Sequence, residues 1–175
     1  MFYKISIKLK VILFSTLFFW VSFLSIIGLV KLYNKFFYYN DTISEPVGHY
    51  FVVNAEHIVA NGIYTVVLHP EYMKKLRKLG YRANSGTLLK QVVAQSSDTI
   101  NVTKSGVFVN NKLILNSKPI KNSNDIGLEA IPVGYHRLLQ DGEFWVMGNT
   151  PHSVDSRYFG VVNKKQIHQT AYFIF

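Results

Sequence analysis

Apolar and polar positions divide this chain into one long unbroken run and a series of short alternating ones. From Val11 to Val30, twenty residues, no charged side chain occurs. At about 1.5 Å per residue such a helix reaches about 30 Å, the thickness of a bilayer's hydrocarbon core. The hydroxyls within it, Ser15, Thr16, Ser22 and Ser25, can return to helix carbonyls and do not bar insertion. A single membrane-spanning helix is therefore predicted. The competing reading is a cleaved secretory signal with Lys4, Lys8 and Lys10 as its basic start. The run exceeds a signal core, however, and Lys31, Tyr33, Phe36, Phe37, Tyr38 and Tyr39 follow it where small residues would mark cleavage. Tyrosine and lysine in that place suit a membrane interface, so the helix is expected to be retained.

Beyond residue 40 the pattern shortens. Tyr50–Val53, Tyr64–Leu68, Leu88–Ala94, Ile100–Val102, Val107–Val109, Leu113–Leu115, Phe144–Met147 and Ala171–Phe175 read as strands, being short, β-branched or aromatic, and broken by Gly, Asn, Asp or Pro. Asn110-Asn111 suits a hairpin turn, because asparagine tolerates positive φ. Glu71 to Leu79 differs: it has helix formers, an acid in its first turn, basic residues later and Gly80 at the stop. The fold class is mainly β. Residues 41–175 form one β-rich domain with a short helical insertion, and residues 1–40 supply a cytoplasmic tip, one N-terminal transmembrane helix and a juxtamembrane belt.

Composition narrows the function. There is no cysteine, which excludes disulfides and cysteine-based zinc sites. The net charge of +9 suggests nucleic acid until its location is examined. Residues 1–40 carry five lysines and no acid, so much of the excess flanks the apolar span, where basic residues meet anionic headgroups. The other dense patch, Lys74, Lys75, Arg77 and Lys78, reads as a solvated helix face. A nucleic-acid partner is not expected; a lipid bilayer is. Three lysines before the span and two after it favour a cytoplasmic amino terminus, with 41–175 on the outer face.

Three segments carry candidate chemistry. Thr42-Ile43-Ser44-Glu45-Pro46-Val47-Gly48 sets a serine in a turn ahead of a strand, although the same residues serve as a plain loop leaving the membrane. Lys90 lies among apolar residues on a predicted strand. A lysine there usually snorkels to solvent from an edge. Buried, it loses its proton more readily and can act as general base for a hydroxyl. Ser153-Val154-Asp155-Ser156-Arg157-Tyr158-Phe159-Gly160 packs a hydroxyl, a carboxylate and a guanidinium together, as a tight turn with an internal ion pair also would. None of the six histidines occupies a nucleophile elbow, and Gly-x-Ser-x-Gly is absent. His69 and His152 lack the spacing of a metal helix, so no metal or cofactor is expected.

These blocks together resemble signal peptidase I, and most closely its conjugative-transfer branch, the TraF-type peptidases. The resemblance runs along nearly the whole chain: an amino-terminal anchor, Ser-x-Pro-x-Gly-x-Tyr at 44–50, Leu88-Leu89-Lys90, the Gly106–Asn110 hairpin and the closing block. It implies a signal-peptidase-like β fold and a Ser–Lys serine endopeptidase, with Ser44 as nucleophile and Lys90 as general base. Ser153 corresponds to a serine that hydrogen-bonds the lysine, and Asp155 and Arg157 to a supporting ion pair. Thr42 corresponds to a hydroxyl that, with the N–H of Ser44, forms the oxyanion hole. The implied substrate is an exported precursor, in this branch a conjugative pilin precursor, cut at a leader or carboxyl-terminal site. Release is by water or by the substrate's own amine, which closes a ring. The implied setting is the bacterial inner membrane with the catalytic domain in the periplasm, beside other conjugative transfer proteins. The chain departs from housekeeping members, which carry Ser-Met-x-Pro and Gly-Asp-Asn-Arg; here stand Ser44-Glu45-Pro46 and Gly148-Asn149-Thr150-Pro151. The alternatives are a general type I signal peptidase and an inactive membrane-anchored assembly protein. A self-cleaving repressor shares the dyad but has a helix-turn-helix amino terminus, where this chain has an apolar span.

Overall fold

A computed structural model describes residues 6–81, 86–118 and 128–175; Lys4 of the basic start lies outside them. The chain divides into two units, Met1–Phe37 and Tyr38–Phe175. In the first, helix α1 spans Ile7–Phe36, with the Ser6 hydroxyl accepting from the Leu9 N–H at its start. Its composition explains its continuity: an apolar stretch free of proline, in which Ser15, Thr16 and Ser25 donate to the carbonyls of Ile12, Leu13 and Val21 at 2.8–2.9 Å. No residue of α1 is buried, and the helix is long and apolar enough to cross a membrane by length and composition. It continues past Val30 to include Lys31 and Lys35.

The second unit is mainly β. Its strands are β1 (Phe37–Asn40, beginning at the last residue of the first unit), β2 (Gly48–Asn54), β3 (Ile63–Val67), β4 (Thr87–Ala94), β5 (Thr99–Thr103), β6 (Gly106–Val109), β7 (Lys112–Leu113), β8 (His136–Leu138), β9 (Glu143–Met147), β10 (Val162–Asn163) and β11 (Ile167–Phe173). They form a seven-stranded sheet in the order β1-β2-β11-β3-β4-β9-β10 and a four-stranded one in the order β7-β6-β5-β8. Alternation along β9 joins the two cores: Phe144 and Val146 pack with Tyr64, Val66 and Val92, whereas Trp145 and Met147 pack with Ile100, Val102 and Val107. A bulge in β4 between Val92 and Ala94 then turns Ala94 into the second of these cores.

Helix α2 (Pro70–Lys78) occupies the predicted insertion. His69 caps it by accepting from the Glu71 N–H, Pro70 opens it, and Gly80 ends it at φ +81°. Met73 and Leu76, three residues apart, bury its inner face while its basic residues stay outside. The β6–β7 hairpin turns on Asn110 (φ +48°) and Asn111 (φ +67°), as their tolerance of positive φ requires.

Two predicted strands shift. Leu113–Leu115 shortens to Lys112–Leu113, since Leu115 is exposed and has no core to enter. The last strand starts earlier, at Ile167, and ends at Phe173, because Ile167 pairs with β3 and Gln169 and Thr170 pair with both β2 and β3. Tyr38 and Tyr39, expected in the interfacial belt, lie in β1.

Candidate active site

The turn carrying Ser44 is built around one amide. Asn40, at the end of β1 and buried, donates through Nδ2 to the carbonyls of Thr42, Glu45 and Pro46 at 2.9–3.0 Å. Its Oδ1 accepts from the Thr42 hydroxyl at 2.8 Å, and Thr42 Oγ1 lies 3.0 Å from Ser44 Oγ. From the far side the Tyr50 hydroxyl donates to the Pro46 carbonyl at 2.8 Å. Ser44 itself is buried, so its hydroxyl has one rotational neighbourhood rather than bulk water around it.

Lys90 comes to that hydroxyl from the middle of the large sheet. Strand β4 runs between β3 and β9, with Lys90 opposite Tyr64, so the side chain has no sheet edge to escape from. It is 4% exposed, and Nζ donates to Ser44 Oγ at 2.9 Å and to the Leu89 carbonyl at 2.9 Å. Burial lowers the ammonium from its ordinary value to about 8, although the carboxylates of Asp155 and Glu45 act the other way and Arg157 adds to the fall. Desolvation wins because neither carboxylate touches the nitrogen. A lysine so placed is neutral in a useful fraction at mildly alkaline pH, and neutral is the state that can accept a proton.

The third wall is the segment from Gly148 to Arg157. Arg157 is buried, and its guanidinium grips Asp155 in a bidentate pair at 2.8 and 2.7 Å. The remaining N–H groups bond the carbonyls of Asn116, Thr150, Pro151 and Ser153 at 2.8–3.3 Å, drawing the loop around one cation. Asp155 also accepts from the Gly148 N–H at 3.0 Å and caps the single-turn helix Ser156–Phe159 through the Arg157 N–H. Asn149 ties this loop to the nucleophile: its N–H donates to the Ser44 carbonyl at 2.7 Å, and its Nδ2 to Glu45 Oε2 at 2.9 Å. A Cβ at Gly148 would come within 2.3 Å of Ser153 Oγ and 2.9 Å of Ser44 Cβ, so the approach of the two serines requires glycine there.

Sequence reasoning named Ser44, Lys90, Thr42, Ser153, Asp155 and Arg157; the structure buries Ser44, Lys90, Ser153, Asp155 and Arg157 in one cluster and sets the exposed Thr42 beside Ser44. One expected contact is not formed. Ser153 Oγ is buried without a hydrogen-bond partner, so it does not bond Lys90, whose recorded acceptors are Ser44 and Leu89. Thr42 is more engaged than the resemblance implied, because its hydroxyl already donates to Asn40. Three residues were missed as site members: Asn40, Glu45 and Asn149. The available signals were an amide closing an aromatic run, a glutamate directly after the serine, and an asparagine where housekeeping members have aspartate.

A mainly β domain that sets a buried lysine against a serine hydroxyl has the parts of a proteolytic site, and comparison with known proteins places it. The chain matches the family model for signal peptidase, peptidase S26, over residues 11–175. Two plasmid transfer proteins TraF of Escherichia coli are 30% and 31% identical to it, each match covering 73% of this chain and 76% of the relative. A solved signal peptidase I of Enterococcus faecalis V583 overlaps 64% of this chain and 94% of its own at 17% identity, with a TM-score of 0.36. The chain belongs to the signal peptidase family, peptidase S26. That membership gives it the role of a serine peptidase.

Proposed function

We propose that this chain is a membrane-anchored endopeptidase in which Ser44 is the nucleophile and Lys90 the general base. The observation that carries the reading is the buried 2.9 Å contact between Lys90 Nζ and Ser44 Oγ. Neutral Lys90 takes the hydroxyl proton as Ser44 Oγ bonds to the scissile carbonyl carbon. The negative charge then on the carbonyl oxygen is held by the N–H of Ser44 and by the Thr42 hydroxyl, which turns from Asn40 to serve it. Lys90, now an ammonium, returns the proton to the leaving amine, and the carbon–nitrogen bond breaks to leave an ester on Ser44. Water, or an amine of the substrate, then attacks that ester with Lys90 again as base. Arg157 and Asp155 hold the loop that closes the pocket and take no part in bond making.

The substrate class follows from the resemblance to the conjugative-transfer branch, which the two plasmid transfer relatives support as far as plasmid transfer. It is an exported precursor of a conjugative transfer apparatus, a pilin precursor, bound extended beside the sheet. Helix α1 anchors the enzyme in the inner membrane with its amino terminus in the cytoplasm and 41–175 in the periplasm, where other transfer proteins are its neighbours. The test is intact-mass spectrometry of a pilin precursor co-expressed with the wild type, Ser44→Ala and Lys90→Ala. The expected result is a shortened product in the wild type alone, its mass separating hydrolysis from ring closure by one water. Equal processing by either variant overturns the assignment.

A further inference from the structure

Glu45 is the least expected side chain in the pocket. Carboxylates rarely enter a core without a cation in contact, yet Glu45 is 2% exposed and Oε1 has no hydrogen-bond partner. The ion pairs among the described residues are Arg137–Glu143 and Arg157–Asp155, and neither includes it. Its Oε2 accepts from Asn149 Nδ2 at 2.9 Å, and the backbone N–H of Gln91 also favours the carboxylate. Asn149 in turn holds the Ser44 carbonyl through its N–H and accepts from Asn116 Nδ2 at 3.0 Å through its own carbonyl.

We propose that Glu45 is a positioning residue of the Ser44–Lys90 site, fastening the nucleophile's turn to the loop at 148–151 and governing through its charge whether Lys90 keeps its extra proton. The inference rests on the function proposed above. An asparagine amide can donate to a carboxylate, whereas aspartate at 149 would set two acceptor-only groups together and force them to share a proton. Glu45 and Asn149 are therefore a matched pair, and they account for the missing aspartate of the Gly-Asp pattern. The charged and titratable groups facing Glu45 are Lys90 from β4, Asp155 from the loop before the single-turn helix, and Tyr50 from β2. Burial outweighs Lys90 and lifts the Glu45 carboxyl to about 7. It therefore changes charge close to where Lys90 does, and an ionised Glu45 makes the ammonium more stable.

The test uses the full chain in detergent micelles with lysine labelled by carbon-13 at Cε. The Lys90 signal, identified by its loss in Lys90→Ala, is titrated in the wild type, Glu45→Gln and Asn149→Asp, beside the pH dependence of kcat/KM on a pilin precursor. Gln keeps an oxygen for Asn149 and removes only the charge. Glu45→Gln is expected to move the Lys90 midpoint down by about one pH unit, with the ascending limb of kcat/KM following it. Asn149→Asp makes the two carboxyls share a proton, which leaves the charge of the pair as it is beside Asn149 and the Lys90 midpoint close to the wild-type value, so a downward shift confined to Glu45→Gln carries the proposal. A Lys90 midpoint unchanged in folded Glu45→Gln overturns it, because a merely structural glutamate lowers the rate at every pH. Precursor cleavage that survives Lys90→Ala would defeat the proposed function separately, while the titration still judges Glu45.

Discussion

Replacing Arg157 by methionine isolates the most heavily bonded side chain in the site. The change keeps an apolar stem and removes a guanidinium that is 1% exposed and holds Asp155, itself 0% exposed, in a bidentate pair. Removing one partner of a buried ion pair costs about 3–5 kcal/mol, since the other charge stays behind uncompensated. Two features put this case near the low end. Asp155 keeps the N–H groups of Gly148 and residue 157, and Asn116, Thr150 and Pro151 are accessible enough for water to rejoin their carbonyls. With a urea slope of about 1–3 kcal/mol per molar, a loss of about 3 kcal/mol lowers the unfolding midpoint by about 1–3 M. Trp145 is fully buried and reports this transition in micelles once Trp20→Phe silences the other tryptophan. Asp155→Asn should destabilise similarly, and the double variant by less than the sum, because it leaves no orphaned charge. Midpoints unchanged in both single variants would refute the argument that the pair is a buried, mutually dependent unit.

The cleavage rate of the wild type should climb with pH through about 8, the value to which burial brings Lys90, and a rate flat from mildly acid to alkaline pH would count against lysine as base. Gly148→Ala, whose methyl would press on Ser153 Oγ and Ser44 Cβ, should reduce kcat by about 100-fold with little change in KM, as read by initial rates on a precursor. Glu45 has a folded value of about 7 against 4.5 for the free group, so its contribution to stability is present below 4.5 and is lost as pH rises through 7. Urea midpoints should fall across that window in the wild type and less so in Glu45→Gln. Lys90 works oppositely: its folded value lies below 10.5, so the cost of burying it is relieved as pH rises beyond about 8, and Lys90→Met should remove that upward slope.

Much of this site was readable from residue types, and the unread part has a common cause. Ser44, Lys90 and Arg157 announce themselves because a turn serine, a lysine within an apolar strand and a clustered acid–base block are each locally odd. Helix α1 was readable as a long unbroken apolar run, and α2 from its end signals, an acid in the first turn, basic residues in the last and Gly80 at the stop. Strands β8 and β10 were not, since three and two residues contain too little alternation to register. Asn40 was hidden by context: its role depends on three carbonyls supplied by the next six residues, and only the folded turn brings them to one amide. Asn149 and Glu45 stand 104 residues apart, so their pairing belongs to tertiary structure alone. Ser153 shows the converse limit, where a motif named the residue but not the bond it makes here.

Four ionisable groups share this pocket, and their arrangement bears on how a buried lysine can be kept ready. Asp155 and Arg157 satisfy each other in direct contact. Glu45 and Lys90 do not touch, so each is left to desolvation, which favours the neutral form of both. Between about 7 and about 8 the pair holds one proton, and moving it from Lys90 to Glu45 creates the neutral base without altering the charge of the pocket. Two interacting groups of this kind titrate in two macroscopic steps. On the proposal made above, the wild-type rate therefore rises in two stages with a lower shelf between them, whereas Glu45→Gln rises in one stage at lower pH. A glutamate beside the nucleophile thus restrains the lysine at neutral pH without disabling it, which is why its removal should make the enzyme faster there rather than slower.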